Sequence, residues 1–285
     1  MKVPWQDYSG RTSPLKLAIF VALFGPALWT ALSFAMGWLQ PQPYTAAIRE
    51  IGLWTIRLIF IALAITPLRS ILQWPRLILV RRMIGVAAFA YALTHLSLYT
   101  ADQMFDLVKV ASEIVSRIYL TIGFTAVLGL SALAATSTDG MVRRLGGRHW
   151  QRLHRLVYVI ALLAVVHFCM QSKLDLWEPS IMAGIYSWLM GYRLLARYLA
   201  VRGRLPLIWI GVLGVAAAVL TALGEAAYFW LAFGVDPMRV VAANWSLMTG
   251  VRPAAVVLGL ALAVTAAGVV RALVSLPAKR RPGFA

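Results

Sequence analysis

The chain is 285 residues long and 61% hydrophobic, with 27 Lys and Arg against 10 Asp and Glu, a formal net charge of +17. A soluble domain has roughly 45–50% apolar residues, so a mean hydropathy of +0.78 leaves too little polar surface for water and points to a bilayer. The single cysteine, Cys169, excludes an internal disulfide, a cysteine-rich zinc site and a cysteine-ligated iron–sulfur cluster within one chain.

A spanning helix needs ~20 mainly apolar residues. Eight candidates are predicted, over roughly 15–39, 48–68, 83–101, 116–136, 151–171, 180–200, 206–231 and 254–275. With short connections between them, the expected fold class is all-α, a polytopic membrane helical bundle of about eight transmembrane helices. The first apolar run, Leu17–Leu39, follows Lys2, Arg11 and Lys16. It is longer than a signal-peptide core and lacks a cleavage motif, so it reads as a retained helix. The second candidate contains "GLWTIRLIFIALAITPLR", with Arg57 some six residues inside its end. A buried arginine is costly unless paired. No carboxylate evidently faces it, which leaves an anionic ligand group or snorkelling to the headgroups.

The third candidate enters from Arg81–Arg82 and carries His95; the fifth enters from Arg152 and carries His154 and His167. His95 lies thirteen residues past Arg82 and His167 fifteen past Arg152, or ~20 and ~22 Å along a helix. Two histidines on two helices that run the same way thus reach one depth, as a b-type haem clamped by one imidazole from each side requires. Ala88, Ala90, Ala92, Ala161 and Ala164 leave room for a flat macrocycle. Arg57 is then a candidate partner for a haem propionate. Taken singly, either histidine reads first as an interhelical hydrogen-bonding residue or one that faces a water-filled cavity. His154 sits ~20 Å from His167 along the helix, near the basic end, and reads as a ligand or cofactor contact whose partner is not evident. Further on, Glu225 is an intramembrane carboxylate and therefore a candidate functional residue.

The placement of charge orients the helices. Loops on one side hold 20 of the 27 Lys and Arg residues, and seven of the ten acids lie on the other side. The basic side is expected to be cytoplasmic, with both termini there. The positive charge is therefore a topology signal that also suits anionic membrane lipid, and no nucleic-acid partner is expected.

The stretches 52–69, "RRMIGVAAFAYALTHLSLY" (81–99) and "ALAATSTDGMVRRLGGRHWQRLHRLVYVIALLAVVHF" (132–168) resemble the MsrQ (YedZ) family. These are haem-binding subunits of the periplasmic protein-methionine-sulfoxide reductase system, within the wider ferric-reductase-like transmembrane group. The resemblance covers roughly residues 15–200. It implies a six-helix haem-binding core, set here as 1–204, and leaves 205–285 as an extension with two further helices. It implies haem b held by the family's three histidines, which fall on His95, His154 and His167, and a flavin, FMN. The basic loop with Arg143, Arg144 and Arg148 is the place for the FMN phosphate, although a purely topogenic loop accounts for those arginines as well. The implied role is a non-catalytic electron-transfer subunit in the bacterial inner membrane. It would pass electrons from quinol or a flavin donor to a periplasmic molybdopterin-containing methionine sulfoxide reductase. Two other readings stand beside it: a general ferric reductase or respiratory cytochrome b, and a proton-coupled transporter using Glu225, Arg57 and the histidines.

Overall fold

A computed structural model describes residues 3–6, 10–173, 175–201, 203–246, 248 and 250–274. The expected basic tail (Lys279, Arg280, Arg281), Lys2 and Arg202 lie outside these. Among the described residues there are α-helices, one short 3-10 turn and two isolated β-bridges, Gln6 with Thr12 and Val201 with Arg204, but no strand.

The helices are α1 (Pro14–Ala22), α2 (Gly25–Ala35), α3 (Pro43–Ile71), α4 (Ile78–Asp102), α5 (Leu107–Ser116), α6 (Ile118–Ala135), α7 (Asp139–Leu145), α8 (Gly147–His154), α9 (Leu156–Ser172), α10 (Trp177–Leu199), α11 (Leu207–Phe233), α12 (Pro237–Trp245) and α13 (Pro253–Val274). Seven segments are long and apolar enough to cross a membrane: Pro14–Ala35, Pro43–Ile71, Pro75–Asp102, Ile118–Ala135, Gly147–Ser172, Leu207–Phe233 and Pro253–Val274. The expected eighth, 180–200, does form the 23-residue helix α10. Glu178, Arg193 and Arg197 and its serines and glycines dilute its hydropathy, so it is not among the seven.

Two predicted single helices are broken. Pro26 lies at the start of α2 and has no N–H to continue the helix that precedes it. The fifth candidate turns at Arg155, whose backbone N–H bonds Arg152 and Gln151 before α9 begins. That break falls directly after His154. His154 and His167 therefore do not lie on one uninterrupted helix. The helices α5 and α12 lie within the loops expected between spans. Each begins at an aspartate N-cap, Asp106 accepting from Lys109 N–H and Asp236 from Met238 N–H.

The chain forms two compact units: Met1–Ile65 with Leu77–Tyr186, and Thr66–Arg76 with Ser187–Ala285. The division falls inside α10. In the second unit the later part of α10 packs on α11, where a Cβ on Gly191 would meet Leu213 at 2.5 Å. There α11 and α13 approach closely through small residues. A Cβ on Gly214 would lie 2.6 Å from Ala261, and one on Gly268 would lie 2.7 Å from Leu207 and 2.8 Å from Ile71. Close backbone approach of this kind holds helices together where lipid removes the hydrophobic drive. In the first unit, Ile56, Ile59 and Leu63 of α3, Val80, Ile84 and Ala88 of α4, Leu130 of α6 and Ile160 and Ala161 of α9 form the core. The exposed surfaces of the spans are apolar, including Leu28 and Trp29 of α2 and Leu128 of α6, as lipid contact demands.

Candidate metal-ligating histidine pair

His95 of α4 and His167 of α9 meet in the first unit. Their ring centroids are 6.4 Å apart and their planes stand at 87°. Each ring is oriented by the same device. His95 Nδ1 lies 2.9 Å from the carbonyl oxygen of Ile48 on α3, and His167 Nδ1 lies 2.7 Å from that of Tyr119 on α6. A carbonyl only accepts, so each Nδ1 carries the proton and each Nε2 keeps a free lone pair. Glycines make room for both rings. A Cβ on Gly52 would fall 2.9 Å from His95 Nδ1, and one on Gly123 would fall 2.7 Å from His167 Nδ1.

The spacing can be tested against a metal. An imidazole–metal bond is ~2 Å and the ring centroid lies ~1.2 Å behind the nitrogen, so two imidazoles on opposite sides of one ion have centroids ~6.4 Å apart. The pair fits that arrangement. No group of three or more His, Cys, Asp or Glu that could hold a metal occurs among the described residues. His95 and His167 are the residues that would hold a haem, which would supply one-electron chemistry there. Ala88, Ala92 and Ala161 are buried; Ala90 is exposed and turned away.

Beside the pair, α4, α5 and α6 are tied together. The Tyr99 hydroxyl donates to Glu113 Oε2. Arg117 Nη2 bonds Glu113 Oε1 at 3.3 Å, and its Nη1 lies 3.3 Å from the Tyr119 hydroxyl. The Tyr119 hydroxyl and the Glu113 carboxylate push the Arg117 guanidinium above its ordinary value. Tyr99 is one turn beyond His95, and Tyr119 supplies the carbonyl that holds His167, so this cluster links the helices of both histidines. In the sequence only the i,i+4 spacing of Glu113 and Arg117 hints at it, because carbonyl acceptors and contacts between helices carry no spacing signature. Gly52 and Gly123 carry a second signal, glycines inside apolar helices.

The other predicted residues are elsewhere. His154 Nε2 is 3.2 Å from the Thr136 hydroxyl, and its ring stacks on Trp150 at 3.8 Å. Trp150 in turn donates to the Thr136 carbonyl at 2.8 Å. The neighbours opposite His154 are thus a threonine and a tryptophan, not a second histidine. Arg143 and Arg144 are exposed on α7, whose Asp139 pairs with Arg82 of α4. Arg57 corrects an expectation: a carboxylate does face it. Glu178 of α10 lies 2.9 Å away, and the Trp54 ring is 5.2 Å below the guanidinium. The two acidic and basic residues are 121 positions apart, beyond the reach of any helical spacing rule. Glu225, in the second unit, is 4% exposed. It accepts from Asn244 Nδ2 at 2.6 Å and lies 3.6 Å from Arg252.

A bundle of apolar helices with an oriented histidine pair is the architecture of a polytopic membrane protein suited to hold a metal centre. Residues 51–165 match the family described as "Ferric reductase like transmembrane component". The chain is also 44% identical over 180 residues to the "Protein-methionine-sulfoxide reductase heme-binding subunit MsrQ" of Rhodospirillum rubrum, covering 63% of this chain and 86% of that one. It is 38% identical over 195 residues to the protein of the same name from Azospira oryzae (68% and 84%) and 40% over 176 residues to that from Caulobacter vibrioides (61% and 84%). The chain belongs to the MsrQ family. No solved structure matches it.

Proposed function

We infer that this chain is a multi-pass membrane electron carrier that holds one haem b between His95 and His167. It serves a methionine sulfoxide reductase that repairs oxidised proteins. The observation that supports this reading is the 6.4 Å pair with both Nδ1 atoms tied to carbonyls, which leaves both Nε2 atoms unprotonated. When bound, the haem supplies a one-electron carrier. The protein's own part is to fix both tautomers through Ile48 and Tyr119, to keep lipid and water from the rings, and to hold the two helices at a constant separation. The bilayer is the bacterial inner membrane, with both termini on the cytoplasmic side. The partner is a periplasmic molybdopterin-containing reductase, and the donor is quinol or a flavin. FMN would meet Arg143 and Arg144 on α7, with His154 a cofactor contact near the same end. The domain reading, a haem-binding core over 1–204 with an extension from 205, belongs to the same proposal.

The pairing of Glu225 with Asn244 and Arg252, and of Arg57 with Glu178, weighs against the transporter reading, which needs such groups free to exchange protons. The test is the visible spectrum of purified protein before and after dithionite. A shifted Soret band with sharp α and β bands is expected, lost in both His95→Ala and His167→Ala. A featureless spectrum, or a full haem complement in either variant, refutes the assignment.

A further inference from the structure

The described methionines are distributed unevenly. Met104, Met238 and Met248 are 87%, 71% and 97% exposed. Met182 is buried at 6%, and Met83, Met141 and Met190 are half-buried. In the topology that the charges predict, the three open side chains belong to loops opposite the basic side, whereas Met83 and Met141 lie beside Arg81–Arg82 and Arg143–Arg144 on the basic side. Met104 follows α4, Met238 lies in the first turn of α12 and Met248 precedes α13. Polar neighbours keep all three at the water side of the interface. Asp102 and Asp106 flank Met104, Asp236 and Arg239 flank Met238, and Ser246 and Arg252 flank Met248. Met36 and Met170 are exposed as well, but they close apolar spanning runs, where lipid covers them.

The backbone holds each of the three in place. The Met104 N–H bonds the Ala101 carbonyl at 2.9 Å, the Met238 N–H bonds Asp236 Oδ1 at 3.0 Å, and the Met248 N–H bonds Ser246 Oγ at 3.3 Å. Met104 and Phe105 have φ of 52° and 58°, a region that residues other than glycine rarely adopt. That turn leaves the Met104 side chain with little to pack on. A thioether in this position is open to a dissolved peroxide, and a thioether is the apolar group that a peroxide converts to a sulfoxide. Met104 also lies close to the electron-carrying pair in the chain: α4 ends at Asp102, seven residues past His95, or ~10 Å along the helix.

We propose that Met104, Met238 and Met248 are sites of reversible sulfoxidation, and that their sulfoxides are substrates of the same reductase that this chain serves. The oxidation half stands on the placement of the side chains; the repair half rests on the electron-carrier reading. Both halves balance. A peroxide transfers one oxygen atom to sulfur: its O–O bond breaks, an S–O bond forms, and hydrogen peroxide leaves as water. In repair, two electrons and two protons reach the sulfoxide at the reductase partner, the S–O bond breaks, and methionine and one water are released. The electrons come from the quinol or flavin donor, through this chain. A sulfoxide is polar and chiral and disrupts a packed core. On these exposed loops it displaces no core contact, so the oxidised chain keeps its fold and keeps the sulfoxide presented for repair.

The experiment treats the full chain in lipid nanodiscs with hydrogen peroxide and follows oxygen addition at each methionine by peptide mass spectrometry. Met104, Met238 and Met248 are expected to oxidise about tenfold or more faster than Met182 and Met190. Equal rates at buried and exposed positions, or Met83 and Met141 leading, overturn the sites. The oxidised chain is then given the purified reductase partner, driven directly by reduced viologen so that no electron need pass through the chain. Methionine is expected to return at all three loop positions. A partner that reduces free methionine sulfoxide but leaves the three positions oxidised overturns the repair. The last arm replaces viologen with decylubiquinol or a reduced flavin, whose electrons enter through the chain, and repair is again expected. Repair with viologen but with neither of these donors would refute the electron-carrier reading and leave the oxidation and repair sites standing.

Discussion

Gly123→Ala puts the histidine pair under the most informative strain. An added Cβ would sit 2.7 Å from His167 Nδ1 and 2.8 Å from Cε1, where ordinary contact begins at 3.4 Å. The ring must retreat by about 0.7 Å, against a tolerance of about 0.2 Å in metal–ligand distance. The same retreat can stretch the 2.7 Å bond to the Tyr119 carbonyl to about 3.4 Å, and loss of such an orienting partner lowers metal affinity ~10–100-fold. The backbone effect has the opposite sign, because Ala is better than Gly inside a helix by ~1 kcal/mol. The variant is therefore expected to fold as well as the parent while holding haem 10–100-fold more weakly. The assay is haem per protein by pyridine haemochrome, with thermal unfolding of the haem-free protein alongside. Gly85→Ala in α4 is the control, since a Cβ there meets nothing within 4 Å; it should keep both haem and fold. Full haem occupancy with an unchanged reduction potential in Gly123→Ala would show that the ring is not held as described.

Asn244→Ala leaves Glu225 Oε2 without its donor and the Ala254 N–H without the Asn244 side-chain oxygen. A cost of about 1–3 kcal/mol is expected, read as faster proteolysis between residues 234 and 252; parental resistance refutes it. Gly268→Val forces Leu207 and Ile71 apart and should cost about 1–3 kcal/mol by overpacking, while the haem spectrum of the first unit persists. An unchanged unfolding midpoint would refute the overpacking. Glu178→Gln removes a pair whose side chains are 31% and 28% exposed, so the stability change should stay within about 1 kcal/mol. A double-mutant cycle with Arg57→Gln measures it, and a coupling of several kcal/mol would mean the pair is far drier than the structure has it.

Hydropathy and charge, read along the chain, determined the class of fold, the spans and the depth of His95 and His167. This was possible because a bilayer imposes a length of ~20 apolar residues and a sign on the flanking charge, constraints that act on each segment separately. His95 and His167 could be matched for the same reason: depth is a one-dimensional count from the basic end. Helix ends were less legible, since Pro26 and Arg155 break spans whose composition is uniformly apolar, and α5 and α12 are short helices inside polar loops. The tertiary structure alone decided who faces whom. It placed Glu178 on Arg57, Thr136 and Trp150 on His154, and the carbonyls of Ile48 and Tyr119 on the paired rings. A backbone carbonyl belongs to every residue type, and apart from the Trp150–His154 stack, one turn of helix, the contacts join positions 18 to 121 residues apart. Side-chain pattern can therefore say how deep a group lies in the membrane; its azimuth and its partner follow only when the helices pack.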